Sequence, residues 1–148
     1  MNNNHFKNKV VYQIYPMSFK DSNNDGMGDI NGIIEKLDYL KLLGVDMLWI
    51  TPIYTSPKYD NGYDIADYYN IDSQFGTMED FENLIKEAKN RNIGIIMDIV
   101  ANHTSTYHKW FKAALNGEKK YQDYYVFREK SYVNNHPINS IFGGKDRK

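Results

Sequence analysis

The chain contains no cysteine, which excludes disulfides and thiolate chemistry and makes a reducing compartment the expected setting. It also lacks an excess of either charge. Its 18 basic residues stand against 19 acidic ones, a formal net charge of -1, so there is no electrostatic footprint for nucleic acid or for an anionic membrane. No apolar run reaches the length of a membrane span, and the opening Met1-Asn2-Asn3-Asn4-His5-Phe6-Lys7 has neither the apolar core nor the small-residue cleavage site of an export signal. A cytoplasmic protein is therefore expected, with no nucleic acid and no membrane among its partners. Binding must come from local sites. What remains is ordinary for a folded soluble domain: 148 residues, 41% hydrophobic and 25% charged, suffice to bury a core. Aromatic residues make up 15%, with 13 tyrosines and 2 tryptophans, and they serve core packing as well as the stacking faces and hydroxyls that suit carbohydrate.

Hydrophobic periodicity gives an order of elements. Residues 9–15 are β-branched and aromatic and are closed by Pro16, as befits a buried strand. After a polar turn, Ile33, Ile34, Leu37, Leu40, Leu42 and Leu43 are spaced as one apolar helix face, and Gly44 is placed to end it. Residues 45–50 read as a second strand stopped by Thr51-Pro52, with a long loop to about Gly76. Thr77-Met78-Glu79-Asp80 is a helix start with acids in its first turn, followed by Phe81, Leu84, Ile85 and Ala88 at helical spacing. Residues 95–100 are almost continuously apolar, which predicts a third strand covered on both faces.

The expected class is α/β: a β-α-β-α-β run over residues 1–103 with the crossovers of a parallel sheet. Loops after the strands are long and those before them short, the layout of a TIM (β/α)8 barrel whose chemistry lies at the strand C-terminal ends. From Thr104 the pattern changes. Trp110, Phe111, Ala114 and Leu115 suggest a short helix, residues 121–127 are aromatic-rich and residues 131–148 polar and irregular. Residues 104–148 are read as the start of an inserted subdomain.

Two clusters carry chemistry. In Asp21-Ser22-Asn23-Asn24-Asp25-Gly26-Met27-Gly28-Asp29, oxygen side chains alternate and glycine permits a sharp turn. Asp21, Asn23, Asp25 and Asp29, with the Met27 carbonyl, supply the hard oxygen donors that Ca²⁺ prefers. Gly32 stands where a helix-loop-helix calcium site needs a bidentate glutamate, so calcium sensing is not implied; the alternative is a solvated turn. The second cluster lies at the strand ends. Asp60, Tyr63 and His103 can meet a pyranose: carboxylate and imidazole clamp vicinal hydroxyls while the tyrosine covers the apolar ring face. A lone histidine after a strand more often caps or packs, but His103 shares one barrel end with Asp98 and Asn102. Asp98, inside an apolar strand, needs a hydrogen-bonded or cationic partner and is expected, with Asn102, to organise its neighbours. Asn102-His103-Thr104 also fits a glycosylation sequon, which is read as coincidental.

Four ordered motifs then resemble a known family: Val11-Tyr12-Gln13-Ile14-Tyr15-Pro16, Gly44-Val45-Asp46-Met47-Leu48-Trp49-Ile50-Thr51-Pro52, Asp60-Asn61-Gly62-Tyr63-Asp64, and Asp98-Ile99-Val100-Ala101-Asn102-His103. Together they resemble the α-amylase superfamily of glycoside hydrolases, in its oligo-1,6-glucosidase and trehalose-6-phosphate hydrolase branch. The resemblance implies that Asp60, Tyr63 and His103 hold a glucose ring, that Asp98 is structural, and that Asp21, Asn23, Asp25, Met27 and Asp29 hold calcium. Asn102-His103-Thr104-Ser105-Thr106 with His108, Trp110 and Phe111, and Ile141-Phe142-Gly143-Gly144, resemble the phosphotrehalases more than the isomaltose-cleaving enzymes. Retaining hydrolysis needs two carboxyl groups about 5–5.5 Å apart, which the family takes from later strands of a barrel of about 250 residues. The expectation is an N-terminal fragment that contains no catalytic residue, is inactive alone, and takes a small carbohydrate and the remainder of the barrel as partners.

Overall fold

A computed structural model describes residues 6–128 of the chain. In chain order the elements are β1 (Val11–Ile14), α1 (Pro16–Phe19), α2 (Ile30–Glu35), α3 (Leu37–Leu42), β2 (Met47–Ile50), β3 (Tyr54–Thr55), β4 (Asp67–Ile71), α4 (Met78–Asn90), β5 (Gly94–Met97), α5 (Lys109–Leu115) and α6 (Lys119–Gln122). Strands β1, β2 and β5 form a sheet in that order, and both pairings are parallel. The expected β-α-β-α-β run is present over the first hundred residues.

The register aligns alternate residues into rows. Tyr12, Leu48 and Ile95 share one row and Ile14, Ile50 and Met97 another, and these six belong to the core with Ile30, Ile33, Leu37, Leu40, Leu84 and Ala88 of the helices. The rows between them differ. Val11 is 45% and Trp49 36% exposed, so the helices cover a single face of the sheet; β5 is apolar on both sides but only partly buried throughout, and the expectation of a third strand covered on both faces is corrected. Apolar content along residues 95–97 states which residues avoid water in a completed fold, not which are covered here.

The helix after β1 is also corrected. It breaks at Lys36, and Leu42 and Leu43, 89% and 54% exposed, lie outside the buried face. Ile30, Ile33, Leu37 and Leu40 alone keep the i, i+3, i+7 spacing that a single face allows. Asp29 caps α2, its Oδ1 accepting the Gly32 amide at 2.6 Å. Gly32 has a steric reason to be glycine: a Cβ there would lie 1.9 Å from the Lys20 carbonyl oxygen. At α4 the anticipated start is a full capping box, Thr77 Oγ1 accepting the Asp80 amide while the Asp80 carboxylate accepts the Thr77 amide. The supposed long loop from 51 to 76 instead contains the antiparallel β3-β4 pair. Its short, tyrosine-rich strands carry no apolar alternation to announce them.

Candidate functional site

Asp98 follows the last residue of β5, and its carboxylate is held from two sides. The Trp49 indole Nε1 donates to Oδ1 at 2.6 Å and the Tyr63 hydroxyl donates to Oδ2 at 2.7 Å. The Tyr54 hydroxyl adds a bond to the Asp98 carbonyl at 3.0 Å. The partner this carboxylate needed is thus a pair of neutral donors, which join β2, the 59–64 turn and β5 at one sheet end. Burial, then the hydrogen bond to Asp98, pushes the Tyr63 hydroxyl up to about 12. It stays a donor across the physiological range.

The turn bearing Asp60 and Tyr63 is built by Asp64. Its carboxylate accepts the Tyr59 and Asp60 amides at 3.0 and 3.1 Å and the Ser56 hydroxyl at 2.9 Å. The Tyr63 amide closes onto the Asp60 carbonyl at 2.9 Å. Asn61 and Gly62 take φ of 53° and 94°, the left-handed conformations that asparagine and glycine tolerate best. Beneath the turn, Asp72 is buried and accepts from Lys58 Nζ at 2.9 Å and from the Ser56 amide at 3.2 Å. Asp60 is thereby fixed through its own backbone.

Residues 100–103 run from β5 toward the segment before α5. His103 is exposed, and its Nδ1 lies 3.1 Å from the Asn102 side-chain nitrogen. The Tyr68 hydroxyl reaches the Val100 carbonyl at 2.7 Å and the His103 carbonyl at 3.0 Å. A cavity of about 500 Å³ lies beside them, lined by Tyr68, Val100, Asn102, His103, Trp110 and Tyr125 among others, within the size range of small-molecule sites. Of the residues singled out from sequence, Tyr63 and Asp98 touch directly and Asp60 shares the Tyr63 turn, while Asn102 and His103 line the cavity, which Asp60, Tyr63 and Asp98 do not. Sequence reasoning missed Tyr54, Tyr68 and the roles of Trp49 and Asp64. Trp49, last but one in an apolar strand that ends in Thr51-Pro52, carried the nearest thing to a signal.

In the acidic loop, Asp21 Oδ1 accepts the Asn23 and Asn24 amides at 3.0 and 2.7 Å and its Oδ2 the Gly26 amide at 2.8 Å. These amides, Gly26 foremost, hold the Asp21 carboxyl below its ordinary range. Asn23 Oδ1 and Asp25 Oδ1 accept the amides two residues on at 2.9 and 2.8 Å. Asp29 turns elsewhere: beside its cap, its Oδ2 accepts both the amide and the hydroxyl of Ser22, at 3.0 and 2.9 Å. Among the described residues no three His, Cys, Asp or Glu side chains gather as a metal group. The donors on offer are all oxygens, which fits a hard cation in type, with Asn23 and the Met27 carbonyl needed to complete the set.

Comparison with known proteins places this geometry. The family model described as alpha amylase, catalytic domain, matches residues 13–146. The chain belongs to the α-amylase catalytic-domain family. It is 56% identical over 142 residues to the trehalose-6-phosphate hydrolase of Bacillus subtilis (strain 168), covering 94% of this chain and 25% of that protein. To the oligo-1,6-glucosidase of Bacillus cereus it is 56% identical over 124 residues, covering 83% and 22%. Among solved structures, a variant of Bacillus licheniformis trehalose-6-phosphate hydrolase in complex with PNG superimposes with a TM-score of 0.87 at 55% identity, over 95% of this chain and 26% of that one. The chain spans about a quarter of the length of the curated relatives it matches. The β1-β2-β5 sheet with its helices is the N-terminal β-α-β-α-β portion of a TIM (β/α)8 barrel. Helices pack outside such a barrel, so the uncovered row of Gln13, Trp49 and Ile96 is on the face a closed barrel turns inward. Ile141-Phe142-Gly143-Gly144, with the rest of residues 129–148 of the expected 104–148 subdomain, lies outside the described residues.

Proposed function

We propose that this chain supplies the glucose-holding part of the active site of a retaining α-glucoside hydrolase that acts on trehalose 6-phosphate. The observation that carries the reading is the Asp98 carboxylate fixed by Trp49 and Tyr63 at the strand ends, which sets the Tyr63 ring at the mouth of the barrel. In this reading the Asp60 carboxylate accepts from one sugar hydroxyl, the His103 imidazole hydrogen-bonds to another, and the Tyr63 ring covers the apolar face. The attacking and protonating carboxyl groups are not assigned to Asp60, Asp64 or Asp98. A second reading, an oligo-1,6-glucosidase, is supported by the equal identity to that relative.

The test is an NMR titration of the 148-residue chain with methyl α-glucoside, trehalose 6-phosphate and isomaltose. Shifts at the Tyr63 and His103 rings support the glucose-holding role, and tighter binding of the phosphorylated sugar than of isomaltose supports the first reading over the second. Rings undisturbed by all three sugars would sink both. Turnover of p-nitrophenyl α-glucoside by these 148 residues alone would overturn the absence of catalytic carboxyls from this chain.

The same proposal includes a structural Ca²⁺ held by Asp21, Asn23, Asp25, Asp29 and the Met27 carbonyl, with Asp29 also capping α2. Supplied there, the ion would neutralise the carboxylates and fix the loop, and it would take no part in bond cleavage. Adding millimolar Ca²⁺ should raise the melting temperature of chelator-treated protein, and an unchanged curve counts against the ion. The proposal also takes residues 104–148 as the start of an inserted subdomain and the rest of a barrel as the chain's structural partner. No helix among the described residues is long and apolar enough to cross a membrane, and a cytoplasmic setting is supported by the lack of cysteine.

A further inference from the structure

The segment after β5 is exposed at Ile99, Ala101, Asn102 and His103, yet it is tied along its length. Asp98 is held by Trp49, Tyr63 and Tyr54 at its start, and the Ser105 amide donates to the Ile65 carbonyl at 2.9 Å at its end. Between these anchors stand two phenols, the Tyr125 hydroxyl 2.9 Å from Thr104 Oγ1 and the Tyr68 hydroxyl on the backbone itself. The Tyr68 hydroxyl, on β4, shares its proton between the Val100 and His103 carbonyls at 2.7 and 3.0 Å. Its ring is itself immobilised, 6.0 Å from the Tyr54 ring, 5.5 Å from His108, and stacked at 25° on Trp110 of α5 at 6.2 Å.

We propose that Tyr68 is a positioning residue for sugar binding, acting through the backbone of residues 100–103 to hold the His103 imidazole in place. The inference rests on the reading that His103 meets the sugar. A packed aromatic ring loses little entropy on forming a further contact, so its hydroxyl makes a stiff strut for an exposed segment. Burial pushes the Tyr68 hydroxyl above its ordinary range, which keeps the proton available to the two carbonyls. The antiparallel β3-β4 pair thus gains a role in the site, carrying Tyr54 to the Asp98 carbonyl and Tyr68 to the next turn of chain.

Tyr68→Phe tests this cleanly, because it keeps the ring and its stack and removes the hydroxyl. In the sugar-free 148-residue chain, the His103 ring resonances should shift and broaden while the Trp110 indole signals hold. Binding of methyl α-glucoside should weaken on the order of tenfold, the effect of losing about one net hydrogen bond. Unmoved His103 resonances in Tyr68→Phe would overturn the proposal whether or not sugar binds. His103→Ala separates the two claims. If it leaves glucoside affinity unchanged, the reading of His103 fails; if it weakens binding and Tyr68→Phe does not, the role of Tyr68 fails. Tyr68→Ala, which also removes the ring, should disturb Trp110 as well, so a Trp110 response to the Phe variant would mark a purely structural effect and count against positioning.

Discussion

The two faces of the β1-β2-β5 sheet are made by alternate residues of the same three strands, and they are held in place by different means. On one, Ile14, Leu48 and Ile50 are buried against α2, α3 and α4, and apolar contact alone accounts for their placement. On the other, Trp49 remains partly exposed and is fixed instead by the bond from its indole to Asp98. The helix face is where the fold is stabilised, and the opposite face and its rim are where polar side chains are aimed. Nonpolar burial is worth about 25 cal/mol per Å², which has no counterpart on a face still in contact with water.

Truncation should expose this difference most strongly. Leu48→Ala on the covered face is expected to cost about 2–5 kcal/mol in urea denaturation, while Val11→Ala on the open face should change stability by about 0.5 kcal/mol or less. Comparable losses at the two positions would mean that the open face is covered in solution. Next in size is the rim. Asp98→Ala removes the acceptor of two bonds to a charged group, together on the order of 2–3 kcal/mol, part of which solvent recovers. The Trp49 indole N–H and the Tyr63 ring signals should both move, and if neither does, Asp98 is not what joins them. Smaller again is the cap that seats α4 on the covered face. Thr77→Ala should cost about 1 kcal/mol, and Thr77→Ser should restore most of it.

The covered face was legible in the sequence because it rests on short-range pattern. Spacing at Ile33, Leu37 and Leu40 and the Thr77 and Asp80 cap follow from residues near one another in the chain, whereas β5 stops at Met97, short of the apolar run to Val100 that the sequence suggests. The rim was legible as a set of residue types and not as a set of contacts. Asp98 meets Trp49 and Tyr63 across 49 and 35 residues, and Tyr68 meets His103 across 35, and no local period encodes such pairings. The same limit explains the acidic loop. Alternating oxygens at Asp21, Asn23 and Asp25 are visible in the sequence, but the turn of Asp29 toward Ser22 and the α2 cap depends on where the helix begins.

His108 sharpens the contrast with the smallest effect, since it is a polar residue treated by the fold as a core residue. It had no role assigned from sequence, yet its side chain is fully buried, and its Nδ1 caps α5 by accepting the Trp110 amide at 3.1 Å. Burial, then the nearby Lys109 ammonium, lowers its pKa, with Asp67 pulling the other way. The neutral ring is therefore the folded form. Protonation would place a charge between Tyr68 and Trp110 and turn the cap acceptor into a donor facing a donor. Because the unfolded chain binds the proton more readily, this contribution is complete above about pH 6.5 and declines as the pH falls through the folded-state pKa. Thermal melts should accordingly fall over that interval, and His108→Asn, which keeps a capping acceptor without a titrating ring, should flatten the slope. An unaltered slope in the variant would assign the acid sensitivity to the carboxylates whose pKa values the fold lowers, Asp21, Asp38, Asp46, Asp67 and Asp80, whose loss belongs at lower pH.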